Sequence, residues 1–139
     1  MSSTNQTAKF HLPQWVATDP FCRTDFNAAF AAIDAAIPHI ATGSYLGTGN
    51  YGSSNRNTLS FPFAPKFVMI RLSGADFYHG LTMFSPLTAA TPDLTGDSFS
   101  DNDKVTAGWS QNGVSWYNAH DAARQMNDSG KTYYYFAIG

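Results

Sequence analysis

The chain has 139 residues, enough for one domain with a genuine core and too few for two full ones. A formal charge of −2 offers no basic footprint for nucleic acid or an anionic membrane surface, so neither is expected as a partner. Charge is sparse, aromatics are abundant, and every acid is Asp, a turn former and poor helix former, which suits short strands joined by turns.

A single cysteine, Cys22, excludes an intrachain disulfide framework and is expected to be a small buried hydrophobe. The start, MSSTNQTAKF, has no apolar h-region, and nothing approaches the length of a membrane-spanning helix. The expectation is a soluble protein made in a cytoplasm, without a signal peptide or membrane insertion.

Residues 1 to 9 are polar. Thr24 is a plausible N-cap and Pro38 a plausible stop for a helix between them. Within it Phe26, Phe30, Ile33 and Ile37 are spaced 4, 3 and 4, the stripe of a coiled-coil seam, and alanines fill most other positions. So short a helix is marginal alone, so the stripe must be covered either by the chain's own sheet or by the same helix in sister subunits.

Beyond Ile40 the pattern changes to strands and turns. IATGSYL runs into a Gly/Ser/Asn loop; TLSFPF and KFVMIRL are strands, with Pro62 pushing the first toward an edge; GLTMFSPL is another. TAATPDLTGDSFSDND reads as a long loop, with a strand possible near Phe99. KVTAGWS and VSWYN flank an expected Asn112-Gly113 hairpin turn; AHDAARQM suggests one helical turn, and NDSG turns the chain into KTYYYFAIG.

These elements describe a mainly β protein: a short N-terminal helix and docking segment (residues 1–39), then a small antiparallel β-sandwich (residues 40–139). The last strand sharpens the picture. Alternation sends Tyr133, Tyr135 and Ala137 to one face and Tyr134, Phe136 and Ile138 to the other, so both faces are apolar. One meets the opposite sheet. The other needs the N-terminal helix or, as favoured here, a neighbouring subunit about a symmetry axis.

Two stretches resemble known families. LPQWVATDPFCRTDFNAAFAAIDAAI, with Trp15, Asp19-Pro20, Asp25-Phe26-Asn27 and Ile33-Asp34-Ala35-Ala36, is similar to the N-terminal segment of tail and minor structural proteins of phages and prophages of Firmicutes. The body resembles the domain often found behind that segment. It is also similar, more distantly, to H-type lectin domains, through Phe61-Pro62-Phe63, Pro65, Val68 and the closing Tyr135-Phe136-Ala137-Ile138-Gly139. The lectin resemblance implies a sandwich that forms homotrimers and binds sugars at subunit boundaries. None of that family's sugar-contacting residues can be placed on this sequence.

Catalytic chemistry finds little support. Of His11, His39, His79 and His120 only His120 adjoins an acid, Asp121, and adjacent residues cannot orient one another as a triad does. No zinc motif or nucleophile elbow is present, and no cofactor is implied. Asp76 with Asp101 or Asp103 would be the pair for a glycan-cleaving enzyme, but ten Asp residues offer such pairs by chance. Asp97, Asp101, Asn102 and Asp103 lack calcium-loop spacing, and a solvated loop is the plainer reading.

Sugar binding needs an aromatic platform beside polar groups. Asp76, Phe77, Tyr78 and His79 form one candidate turn; Asp101, Asn102 and Trp109 form a second set, while Trp116 and Tyr117 are expected in the core. The expectation is therefore a homotrimeric tail fibre protein of a virion, without catalysis. Its N-terminal segment would contact other virion proteins, and its sandwich a bacterial surface glycan or receptor. The alternative is a head or tail decoration that meets only virion proteins. The trimer contacts expected are Phe26, Phe30, Ile33 and Ile37 on the helix, and Tyr134, Phe136 and Ile138 on the last strand.

Overall fold

The computed structural model describes residues 3–74, 79–93 and 100–139. The chain divides into two compact units between Pro38 and His39.

In the first unit, β1 (Asn5–Gln6) pairs antiparallel with β2 (Pro13–Gln14), and α1 (Arg23–Ala36) follows. Asp19 organises the connection, accepting from the Val16 N–H and from both the backbone and hydroxyl of Thr4. The helix begins two residues earlier than the sequence suggests, because Cys22 and not Thr24 occupies the N-cap. Cys22 is half-exposed there, not buried, with its Sγ 2.8 Å from Thr24 Oγ1. Helical hydrogen bonding ends at Ile37, before Pro38.

Trp15, Phe21, Phe26 and Phe30 form a chain of ring contacts with centroids 4.6–5.5 Å apart. An apolar groove of about 160 Å³ lies between α1 and the Leu12–Trp15 segment. This packing is incomplete: no residue of α1 is buried, and Phe30 and Ile37 are 55% and 58% exposed.

The second unit is an antiparallel β-sandwich. Its strands are β3 (Ile40–Leu46), β4 (Asn57–Ser60), β5 (Phe67–Leu72), β6 (Gly80–Phe84), β7 (Ala89–Ala90), β8 (Pro92–Asp93), β9 (Val105–Ser110), β10 (Gly113–Asn118) and β11 (Thr132–Ile138). One sheet has the order β3-β11-β5-β6-β8, and the other β4-β10-β9-β7. As Pro62 suggests, β4 is an edge strand. The segment expected to be loop contains two very short strands, β7 in one sheet and β8 in the other, so the chain changes sheets at Thr91.

Alternation builds the core. Val68, Ile70, Leu81, Met83, Tyr133 and Ala137 from the five-stranded sheet meet Val105, Ala107, Val114 and Trp116 from the four-stranded one. Each fully buried aliphatic side chain contributes about 1.5–3 kcal/mol. Trp116, fully buried, donates its indole N–H to the Gln125 carbonyl at 2.8 Å. Tyr45 stacks on Tyr133 and gives its hydroxyl to the Met126 carbonyl at 2.7 Å; burial pushes the Tyr45 phenol far above its ordinary range.

The β9–β10 hairpin differs from expectation by one residue. Ser110 pairs with Gly113, so Gln111-Asn112 form the turn and neither has positive φ. Gly113 is needed for a different reason. A Cβ there would come 2.5 Å from the Leu59 carbonyl oxygen of the neighbouring edge strand.

Candidate functional site

The sandwich presents two outer sheet faces of opposite chemistry, joined at one end by a polar loop region.

On the five-stranded sheet the register aligns Ile40, Ile138, Phe67 and Phe84 in one row across four strands. The next row is Thr42, Phe136, Met69 and Thr82, and the next Ser44, Tyr134, Arg71 and Gly80. The face thus grades from apolar to polar. Ile40, Phe84 and Tyr134 are 60%, 52% and 55% exposed in the single chain. At the polar end Arg71 lies over Gly80 and reaches Asp93 Oδ2 at 3.3 Å.

On the four-stranded sheet the outer rows are Thr58, Ser115, Gly108 and then Ser60, Gly113, Ser110. With no side chains at Gly108 and Gly113, hydroxyl-bearing neighbours surround a trough of about 370 Å³. At one end the Arg56 guanidinium lies 4.6 Å over the Tyr117 ring, and its Nη1 donates to Ser115 Oγ at 3.3 Å. A Cβ on Gly108 would sit 3.2 Å from Ser115 Oγ and 3.4 Å from that Nη1, so a side chain there would press on the serine and touch the arginine. At the other end Ser110 donates its hydroxyl to Asn112 Oδ1 at 3.2 Å.

Tyr117, expected in the core, is therefore on the outside. Its neighbour Trp116 takes the inner position, and alternation forbids both. Arg56 was missed altogether. A possible signal was its position, which in register faces Tyr117 once Asn57 is paired with Trp116.

The loop region at one end is held by buried amides. Gln125 Oε1 accepts from the N–H groups of Gly52 and Asn118, and its Nε2 donates to Asn55 O and Asn57 Oδ1. Asn118 donates to the carbonyls of Asn102 and Lys104, and accepts from His120 and Asp121 N–H. Asn127 ties down Thr48 and Asn50. Fully satisfied amides avoid the penalty of burying bare polar groups. Asp103 joins them by pairing with Arg124 and accepting from Ser100 N–H at 2.7 Å; that backbone bond first, then the guanidinium, holds its carboxyl below the usual range.

Asp76 and Tyr78, like Phe77, Asp97 and Phe99, lie outside the described residues. His79 is half-buried just before β6, its carbonyl accepting from Leu72 N–H. Asp101 and Asn102 belong to a 3-10 turn; Asp101 pairs with Lys104, and the Asn102 carbonyl serves Asn118. Trp109 is on the inner side of β9, packed on the core, with its indole N–H on the Leu87 carbonyl at 2.7 Å. It forms part of the sandwich wall and also contributes to the lining of the trough on the four-stranded sheet.

Among the described residues no group of three or more His, Cys or acidic side chains could hold a metal ion, and no helix is long and apolar enough to cross a membrane. No protein-family model, curated protein or solved structure matches the chain.

Proposed function

We propose that the chain is a homotrimeric structural protein of a phage particle, of tail fibre type, whose sandwich binds a bacterial surface glycan or receptor without catalysis. The observation that carries the assembly is the outward apolar row Ile40, Ile138, Phe67 and Phe84, continued by Phe136 and Met69; Ile40 and Phe84 are exposed and the others half-buried. A contiguous patch of this kind on a small domain marks an interaction surface. The helical stripe Phe26, Phe30, Ile33 and Ile37 has the spacing to meet sister helices, or to dock on other virion proteins. The placement in a virion rests on the resemblance of the N-terminal segment, and the sugar preference on that of the sandwich.

Equilibrium sedimentation of the purified chain tests assembly, and binding of labelled protein to host cells and their wall polysaccharide tests recognition. A trimer retained on the cells is the expected result. A monomer at micromolar concentration would sink the assembly. A trimer that ignores cells and glycans but coats purified particles would replace receptor binding with decoration.

A further inference from the structure

We infer that the trough on the outer face of the four-stranded sheet is the glycan site, and that it selects saccharides bearing an anionic substituent, a carboxylate or a phosphate. The inference rests on the proposal that the sandwich binds a glycan, and adds where it does so and with what preference.

Three features point there. First, Thr58, Ser60, Ser110 and Ser115 ring a floor made by Gly108 and Gly113. Each hydroxyl both donates and accepts, as the hydroxyls of a sugar ring require. A trough of about 370 Å³ falls within the range of small-molecule sites.

Second, among the described residues the trough lining contains no acid, and Arg56, bonded to the lining residue Ser115, stands at its end. Among the described residues the salt bridges of arginine are those of Arg71 and Arg124; Arg56 has no carboxylate partner. Stacking on Tyr117 and the bond to Ser115 fix the guanidinium plane while using only part of its donor fork. An oriented guanidinium with donors in hand matches the paired oxygens of a carboxylate or phosphate.

Third, the face is a poor fit for a protein partner. Protein interfaces are anchored by large apolar or aromatic side chains. Among the described residues the large apolar side chains most exposed on the sandwich, Ile40, Leu46, Tyr51, Phe84, Leu87 and Tyr134, lie away from the trough, whose one aromatic lining residue, Trp109, is held in the sandwich wall by its bond to the Leu87 carbonyl.

The test is amide NMR of the isotopically labelled, assembled chain, titrated with polyglycerol phosphate, with oligoglucuronate and with neutral dextran. At least one anionic polymer should shift the amides of Gly108, Gly113 and Ser115, while dextran at equal sugar concentration should not. Which polymer binds separates phosphate from carboxylate recognition. Arg56→Gln should weaken binding at least about tenfold, the loss of one charge-assisted contact. Arg56→Lys should recover only part of it. Gly108→Ala, which fills part of the trough floor and presses on Ser115 Oγ at an unstrained backbone position, should fold and also bind less well.

Equal binding by Arg56→Gln, equal response to dextran, or the same shifts on concentrating the protein without ligand would overturn the site. Binding of a polymer with shifts confined to other loops would reject the trough and leave the glycan reading standing. Silence toward all three polymers and toward host wall polysaccharide would remove both.

Discussion

The two outer faces of the sandwich come from the same alternation rule and end with opposite surfaces. On the five-stranded sheet, β3, β5, β6 and β11 put Ile, Phe and Met outward in aligned rows. On the four-stranded sheet, β4, β9 and β10 put Ser, Thr and Gly outward, with one arginine stacked on one tyrosine. The comparison teaches that a two-sided strand is informative only in register with its neighbours. Tyr134 and Tyr117 are both outward tyrosines, yet one adjoins an apolar field and the other edges a hydrophilic depression.

The strongest way to break the contrast is to charge the apolar face. Ile40→Asp with Phe84→Asp should leave the circular dichroism of the monomer intact but weaken self-association more than about a hundredfold by sedimentation, since like charges would be buried together. Continued assembly would place the interface elsewhere. The same charges on the polar face, as Thr58→Asp with Ser60→Asp, should leave the oligomer in place.

Next in size is Gly113→Ala. Its Cβ would crowd the Leu59 carbonyl, so denaturant unfolding should register a loss of about 1–3 kcal/mol, typical of overpacking. Little or no loss would mean that β4 can move outward at low cost. Arg56→Gln should cost only about 0.5–1 kcal/mol of stability, the range for an exposed cation–π contact. A much larger loss would recast Arg56 as a structural residue.

The smallest effect at neutral pH concerns the shared loop end. Asp103 has a folded pKa below its unfolded value, so its contribution is present above the ordinary carboxylate range, near about 3.9, and disappears as the pH falls through the lowered folded value. Thermal melts of the wild type should therefore lose stability in strong acid more steeply than those of Asp103→Asn. Parallel acid profiles would show that neither the Ser100 N–H nor the Arg124 guanidinium favours the charged carboxylate.

Much of this architecture was legible in the chain. The inner and outer sets of β11, the edge position of β4 and the β9–β10 hairpin all follow from period-two patterning and turn residues. The misses have physical reasons. Asn112-Gly113 looked like a turn because glycine tolerates positive φ, whereas Gly113 serves a close strand approach that only the third strand reveals. The crossing at Thr91 has too few residues on either side to carry a pattern. Asp101 and Asn102 looked available for a ligand, but Asp101 pairs with nearby Lys104, and the Asn102 carbonyl is taken by Asn118, a backbone contact sixteen residues away in sequence. The trough was invisible because it consists of what is missing: side chains at two glycines, seen only when β4, β10 and β9 lie side by side.

The amides at the loop end have one more consequence. Gln125, Asn118 and Asn127 hold their loops with uncharged groups, and dissolved salt screens charges, not amide hydrogen bonds. The loops held by these amides should keep their shape in brine as in fresh water, while the Asp103–Arg124 pair and attraction to the exposed Arg56 weaken as salinity rises. On the proposed reading, a phage particle carrying many copies would hold its loops in shape at any salinity and its grip on an anionic glycan only in dilute surroundings.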